Sequence, residues 1–571
     1  MEWWKNRAVY QIYPRSFLDT TGNGMGDLRG VTAKLDYLER LGVGAIWLCP
    51  VFESPQKDNG YDVSDYRRID PAYGTNEDMQ ELIREAHARN IKVILDLVVN
   101  HTSNQHPWFQ MSRDKNSPYR DFYYWRPGKA GGEPNNWGGA FTESAWTYDE
   151  QSGEYYFHTF SPEQPDLNWN NPQVIKEVMK IMRFWQDQGV DGWRIDAIPY
   201  IDKRPDFKDY DPKDFPEGQT HFMGDYHYKN GRLYDFIRLL NDNVWSKYPE
   251  CMRVAELGGE FTVKDILRYT ADGTAFTMCF TFDHMGFDAD PHSKNGKWSK
   301  KEFDFKGFKK NFAYWQQLNR AGGNVALYMN NHDQPRAVSR FVDCTGYRGE
   351  YAKTLAIMLH LMGGTPYIYQ GEEIGMTNCP FEKDEYRDLE FVNAYHDFVE
   401  TGRMSEEEFL RMTAYRGRDN ARTPMQWNAE ENAGFTEGTP WIKVNPNYED
   451  INVESQLDDP GSVFSCYRRL LALRRDYPVI QSGAFRLLRE RDPACFTYLR
   501  KLGGQTLYVA CNFTGKPVTR TLPLSLVGER GKMLVSSYAD SAVPKFRFTL
   551  RPFESFGVLF FRPGEQEGGA E

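Results

Sequence analysis

Apolar positions follow two alternating rhythms along this chain. From Val9 onward, short apolar runs bounded by turn residues alternate with longer stretches whose apolar residues recur at helical spacing, the sequence mark of strands joined by helices. Residues 9–13, 45–49 and 91–98 read as the first three strands, and 365–370 as the eighth. Residues 172–188 read as an amphipathic helix that turns at Gly189 into the short apolar run 192–197, a buried parallel strand. Four of these runs deliver polar residues. Val99 leads into Asn100-His101, the run 192–197 carries Arg194 and Asp196, Ala255 leads into Glu256, and Met329 leads into Asn330-Asn331-His332-Asp333. Apolar strands that present acids, amides and histidines at their C-terminal ends are the layout of a (β/α)8 TIM barrel active site.

The alternation breaks in three places. Residues 102–168 are rich in Pro, Gly, Trp and Tyr without a helical period. They are too many for an ordinary connection and read as a small inserted domain after strand three. A polar, partly helical excursion spans 371–427 after strand eight, with Ser405-Glu406-Glu407-Glu408 as a helix start. A helix over 463–475 then leads to a stretch of short alternating apolar runs, such as 496–499, 506–510 and 557–560, which reads as an antiparallel β-sandwich. The expected fold class is α/β: a barrel over 1–101 and 169–482, the inserted domain over 102–168, and a C-terminal β-sandwich domain over 483–571. The Gly- and Glu-rich last residues read as a frayed end.

Residues two apart on a strand share a face, so Arg194 and Asp196 stand together at the end of theirs. A neighbouring guanidinium keeps a carboxylate ionised at neutral pH, which a carboxylate nucleophile requires. An isolated Arg-x-Asp is more often a structural ion pair, but this one has Glu256 and Asp333 for company. No His-x-x-x-His or His-Glu-x-x-His helix accompanies His101 and His332, which favours hydrogen bonding to a polar substrate over a metal site. Elsewhere, the loop 19–27 offers oxygens at every second position, from Asp19, Thr21, Asn23, the carbonyl of Met25, and Asp27, with glycines for tight turns. That pattern suits a hard cation such as Ca²⁺, the alternative being a solvated Asx/Gly turn. It is not an EF-hand, because the twelfth position is Gly30.

In this order the four polar-ended segments resemble the conserved regions of the α-amylase superfamily, glycoside hydrolase family 13, and most of all its oligo-1,6-glucosidase and α-glucosidase branch. The likeness runs from Val9-Tyr10-Gln11-Ile12-Tyr13-Pro14 to Arg422-Thr423-Pro424-Met425-Gln426-Trp427 and beyond. It implies a retaining, exo-acting α-glucosidase with Asp196 as nucleophile, Glu256 as acid/base and Asp333 as a third carboxylate that holds sugar hydroxyls. The apolar neighbours Val254, Ala255 and Leu257 suit a raised Glu256 pKa. The resemblance also implies a pocket for the terminal glucose built from Asp58, Tyr61, His101, Phe160, Gln164, Arg194, His332 and Arg422. In it Tyr61 is a stacking platform, while Asp58 and Arg422 grip the far end so that no longer chain passes. A structural calcium loop at 19–27 belongs to the same likeness, although Thr21 stands where Asn is usual.

Linkage rests on the residue after the nucleophile. In this branch Val there goes with α-1,6 preference and Ala or Thr with α-1,4, so Ala197 implies α-1,4 cleavage of maltose-type substrates. The counter-signal is Gln164-Pro165-Asp166-Leu167-Asn168, which resembles the oligo-1,6-glucosidase wording. Ala197-Ile198-Pro199-Tyr200 is similar to trehalose synthase, which makes glucosyl transfer or isomerisation the rival activity. The region 283–290 lacks the Arg-rich loop of sucrose isomerases, which favours hydrolysis. A non-enzymatic, membrane-linked relative is opposed by the retained acids.

Bulk properties narrow the rest. The 571 residues exceed one barrel, which needs about 250. A net charge of −11 and a pI near 5.6 argue against a nucleic-acid surface. No apolar stretch is long enough to span a membrane, and Met1-Glu2-Trp3-Trp4-Lys5 lacks the marks of a signal peptide. The eight scattered cysteines read as free thiols of a reducing cytoplasm. The expected partner is a small oligosaccharide, bound by a cytoplasmic monomer or homodimer.

Overall fold

The computed structural model describes residues 2–130, 132–215, 219–257, 261–271, 273–290 and 293–561, so the Gly- and Glu-rich end lies outside the described residues. Eight parallel strands form one sheet: β1 (Val9–Ile12), β2 (Ala45–Leu48), β3 (Lys92–Leu97), β4 (Gly192–Ile195), β5 (Met252–Glu256), β6 (Met278–Phe280), β7 (Ala326–Leu327) and β8 (Thr365–Tyr369). They follow chain order in space, with β8 beside β1. A parallel bridge from Cys279 to Val325 joins β6 to the start of β7, closing the sheet into the expected barrel and leaving no open edge.

Side chains alternate across each strand, and this sorts them into two cores. Val9, Ala45, Trp47, Ile94, Met252, Val254, Met278, Tyr328 and Tyr367 point inward and fill the barrel. Tyr10, Ile46, Leu48, Val93, Leu95, Trp193, Ile195 and Ile368 point outward and pack under the helices. Gly192 belongs to the inner set for a steric reason: a Cβ there would lie 2.5 Å from the Met252 carbonyl oxygen and 2.7 Å from Ile94 Cδ1. The helix expected from the 172–188 pattern spans Pro172–Gln186, with Pro172 at its first position and the Asn171 side chain accepting from Gln173 N, the usual entry for a helix.

Between β3 and β4 lie a short helix, Pro107–Ser112, and an antiparallel sheet in the order Trp125–Arg126, Glu154–Phe157, Trp146–Asp149. Its aromatic richness is its core: Tyr124, Trp137, Trp146 and Phe157 pack together, completed by Phe207 and Tyr210 from the chain after β4. After β8, the helices Leu389–Tyr395 and Glu406–Arg416 form an excursion whose second helix is capped by Ser405. The C-terminal part is a five-stranded antiparallel sheet covered by a two-stranded one, Val518–Thr521 with Arg547–Leu550. Its other face lies on the barrel helix Arg348–His360, where Thr354 Oγ1 donates to the Phe553 carbonyl and Tyr498 OH to the Met358 carbonyl. Covered on both sides, that helix is buried from Tyr351 to His360 and shows no polar face.

Candidate active site

The C-terminal ends of the strands bring acids and cations into one cluster, with Arg194 at its centre. Its Nη1 donates to Asp96 Oδ1 at 2.8 Å and to Asp196 Oδ1 at 2.6 Å, and its Nη2 donates to Glu256 Oε2. Strand register dictates this meeting. Asp96 on β3 is level with Arg194 on β4, and Val254, two residues before Glu256 on β5, is level with Arg194 on the other side. The guanidinium is 3% exposed, so these carboxylates, rather than water, balance its charge. Val254, Ala255 and Leu257 are buried, yet the Glu256 carboxyl lies on the guanidinium rather than among them.

A second group surrounds His332. Gln11 Nε2 lies 2.8 Å from its Nδ1, Tyr61 OH 2.6 Å from its Nε2, and Asp333 Oδ2 3.2 Å from the same nitrogen. The Tyr61 ring stacks on the imidazole, centroids 5.2 Å apart and 5° from parallel, so one face of the expected stacking platform is taken. Tyr61 OH and Trp47 Nε1 also donate to Asp96 Oδ2, at 3.0 and 3.2 Å. Burial pulls His332 down to about 3, which leaves it neutral at neutral pH. Burial pushes the Asp333 carboxyl up, but His332, Arg418 and Arg422 more than offset it and hold it well below the usual carboxylate range. With the imidazole neutral, the two guanidiniums carry that effect.

The excursion after β8 supplies the end wall. Arg418 Nη1 donates to Asp333 Oδ1 at 3.2 Å and its Nε to Asp388 Oδ2 at 2.8 Å, while its Nη2 lies 3.6 Å from Asp58 Oδ1. Arg422 donates to the His332 carbonyl at 3.2 Å, to Asp333 Oδ1 at 3.4 Å and to Asp388 Oδ1 at 3.4 Å. Sequence reasoning set Asp58 against Arg422; the ion pair to Asp58 is made by Arg418, which stands between them. Burial pushes Asp58 up to about 7, with Arg418 and Arg422 opposing. Gln164 Nε2 donates to Asp58 Oδ2 at 3.1 Å and lies 3.1 Å from His101 Nε2. The Phe160 ring sits 5.3 Å from His101 and 5.8 Å from Tyr200.

Every sugar-site residue singled out from the sequence thus lies in one cluster. The sequence reading missed Gln11, Trp47, Asp96, Asp388 and Arg418. Signals existed for two of them. Asp96 is an acid inside an otherwise apolar strand run, and Arg418 stands four residues before Arg422, one helical turn away in Asp419–Arg422 and its cap.

The loop 19–27 is tied by its own donors. Asp19 Oδ1 accepts from Thr21 N at 2.8 Å and Gly22 N at 2.9 Å, and its Oδ2 accepts from Gly24 N at 2.7 Å and Thr436 Oγ1 at 2.5 Å. Asn23 Oδ1 accepts from Met25 N at 2.8 Å. Asp27 Oδ1 caps the helix Leu28–Ala33 through Gly30 N at 2.7 Å, and its Oδ2 accepts from Thr20 N at 2.8 Å. The donor types fit a hard oxygen-loving cation, and burial on Asp19 is more than offset by these hydrogen bonds, which hold its carboxyl below the usual range. Among the described residues, no three His, Cys, Asp or Glu side chains gather as a metal site. All eight cysteines are free thiols, and among the described residues no helix is long and apolar enough to cross a membrane.

Comparison with known proteins covers nearly the whole chain. The alpha amylase catalytic domain family matches residues 11–483. The oligo-1,6-glucosidase of Parageobacillus thermoglucosidasius is 49% identical over 557 residues, 97% of this chain and 98% of that protein. The crystal structure of trehalose-6-phosphate hydrolase from Bacillus licheniformis is 44% identical, with a TM-score of 0.91 over 98% of this chain and 100% of that one. Isomaltulose synthase from Erwinia rhapontici is 40% identical, with a TM-score of 0.93 over 98% and 99%.

Proposed function

Because the chain belongs to the alpha-amylase family, as a glycoside hydrolase of the α-glucosidase type, we propose that it releases glucose from the non-reducing end of short α-glucosides with retention of configuration. The observation that carries this reading is the Arg194 guanidinium, bonded at once to Asp196 and Glu256. Two carboxyls on neighbouring nitrogens of one guanidinium fit the separation of about 5 Å that a retaining pair needs. Asp196 attacks the anomeric carbon while Glu256 gives its proton to the departing glycosidic oxygen. Water then displaces Asp196 from that carbon and returns a proton to Glu256, leaving glucose and the free enzyme. Asp333, kept ionised by Arg418 and Arg422, holds sugar hydroxyls and favours the oxocarbenium-like transition state.

Exo-action is supported by the end wall. Asp58, Asp388, Arg418 and Arg422 interlock beyond Asp333, so a chain longer than one glucose has no exit there. For linkage, Ala197 directly follows the nucleophile and has a left-handed backbone (φ 44°). Its single methyl leaves the aglycone side open, which supports α-1,4 cleavage. The second reading is α-1,6 cleavage, supported by the relatives named oligo-1,6-glucosidase. We place Ca²⁺ in the loop 19–27 as a structural ion held by Asp19, Thr21, Asn23, Met25 and Asp27, and the enzyme in the cytoplasm, a placement that suits its free thiols.

Initial rates on maltose, isomaltose, sucrose and trehalose, with products resolved, test the reading. Glucose released fastest from maltose supports the Ala197 argument. A clear preference for isomaltose moves the assignment to α-1,6. Trehalose formed from maltose, or an isomer formed from sucrose, makes the chain a glucosyl transferase or isomerase instead.

A further inference from the structure

The first strand carries a polar side chain that the proposed chemistry does not use. Gln11 stands two residues after Val9 and so takes the same face of β1, the one that fills the barrel. It is in register with Trp47 on β2 and Tyr369 on β8 and is buried. Its Nε2 lies 2.8 Å from His332 Nδ1 and donates to Cys49 Sγ at 3.3 Å. An amide nitrogen carries two hydrogens and accepts none. One of them therefore goes to the imidazole and the other to the sulfur.

The plane of that ring is held without Gln11: Tyr61 stacks on it, and Trp47 meets it edge-on with centroids 6.1 Å apart. What Gln11 decides is where the ring proton goes. The other nitrogen, Nε2, faces Tyr61 OH at 2.6 Å and Asp333 Oδ2 at 3.2 Å. Arg418 and Arg422 keep Asp333 ionised through its other oxygen. A bare Nε2 would turn its lone pair on that carboxylate, so Nε2 carries the proton. Turning the Gln11 amide round would put its oxygen on Nδ1 and demand a second proton there. Burial opposes the resulting imidazolium, and so do the guanidiniums of Arg194, Arg422 and Arg418. The Tyr61 oxygen takes the Nε2 proton and turns its own O–H to Asp96 Oδ2 at 3.0 Å. Gln11 thus heads a one-way row of donors that runs through His332 and Tyr61 to Asp96, the acid that shares Arg194 Nη1 with Asp196.

We infer that Gln11 is a positioning residue: by presenting an N–H to Nδ1 it keeps His332 a neutral ring with its one proton on Nε2, held towards Asp333 and Tyr61. The effect on rate rests on the proposed glucosidase reading; the effect on the ring proton does not. The test compares the wild type with Gln11→Glu, which keeps the shape but offers Nδ1 only oxygens, and with Gln11→Met, which offers it neither donor nor acceptor. The ¹⁵N signals of His332, assigned with a His332→Gln control, should show a bare Nδ1 and a protonated Nε2 in the wild type at pH 7, and both nitrogens protonated in Gln11→Glu. On p-nitrophenyl α-glucoside, Gln11→Glu should lose about 10- to 100-fold in kcat at pH 7 with KM little changed, because a cation on the ring offsets the charge with which Asp333 meets the transition state. That loss should recover towards pH 9 as the second proton leaves. Gln11→Met should keep a neutral ring, and whatever activity it loses should not return at high pH. A protonated Nδ1 in the wild type, a neutral ring in Gln11→Glu, or pH profiles of kcat that run parallel in the two variants overturns the inference. The wild-type signals need no variant to fold. A wild type that cleaves no α-glucoside sinks the functional reading alone, since the histidine signals are read without substrate.

Discussion

Arg194 ties three carboxyl groups together with one guanidinium, and that sets what its loss would do. Arg194→Met strands Asp96, Asp196 and Glu256 beside one another without a cation. Removing one partner of a buried charge network typically costs about 3–5 kcal/mol, and chemical denaturation should show a loss of that size. A stability within error of the wild type would mean that water, not Arg194, balances those acids. Glu256 makes a separate prediction. A proton donor to the leaving group, the role proposed for it, matters least when that group leaves without a proton. Glu256→Gln should therefore lose far more activity on maltose than on a 2,4-dinitrophenyl α-glucoside. Equal losses on both would assign the proton to another residue.

His332 carries a pH signature. Its pKa falls from 6.5 unfolded to about 3 folded. Above pH 6.5 neither state is protonated and no stability is at stake. As pH falls from 6.5 towards 3, the unfolded chain takes up a proton that the folded one refuses, so stability is lost. The slope is about 1.4 kcal/mol per pH unit for one proton. His332→Gln should lose less stability than the wild type between pH 6 and pH 4, by about that slope. Parallel profiles would show that the imidazole protonates in the folded state.

At the scale of elements, the barrel strands were legible because their signal is local. Apolar runs, turn residues and the two-residue repeat place Asp196, Glu256 and Asp333 at strand ends without knowledge of the rest. The same rule contained Asp96, level with Arg194 across the sheet, but strand pairing is not written in either strand alone. The excursion 371–427 shows the opposite case. Its helix start at Ser405 was visible as a cap, yet the return of Asp388 and Arg418 to the pocket depends on packing between distant segments. Phe207 and Tyr210, which complete the core of the inserted sheet, escaped for the same reason. This element makes its own prediction. Arg418 joins Asp333, Asp388 and Asp58, and a charge-assisted hydrogen bond is worth about 1.5–3 kcal/mol. Arg418→Ala should lower kcat/KM on maltose by about 10- to 100-fold and weaken the rejection of internally linked glucose. Unchanged kinetics would remove Arg418 from the pocket wall.

Across the whole molecule, the barrel is closed at β6 and β7, and the C-terminal sheet covers a barrel helix with no polar face. The loop 19–27 lies far from the carboxylates in sequence and pins the segment after β1 to the chain near Thr436. The structural ion proposed for it would stabilise by mass action, by about 2.7 kcal/mol at a hundredfold excess over its Kd. Millimolar Ca²⁺ should raise Tm, EDTA should lower it, and Asp19→Ala should abolish the difference. A Tm indifferent to both additions would make the loop an Asx/Gly turn held by its own amides.

The central claim is that Asp196 and Glu256 act as a retaining pair, and it is tested most directly by the anomer that forms first. ¹H NMR of maltose during the opening minutes of hydrolysis separates the anomeric protons of α- and β-glucose before mutarotation mixes them. Glucose cleaved from the non-reducing end should appear first as the α-anomer, the outcome of two displacements at one carbon. β-Glucose formed first would mean a single displacement by water, and Asp196 would not be the nucleophile.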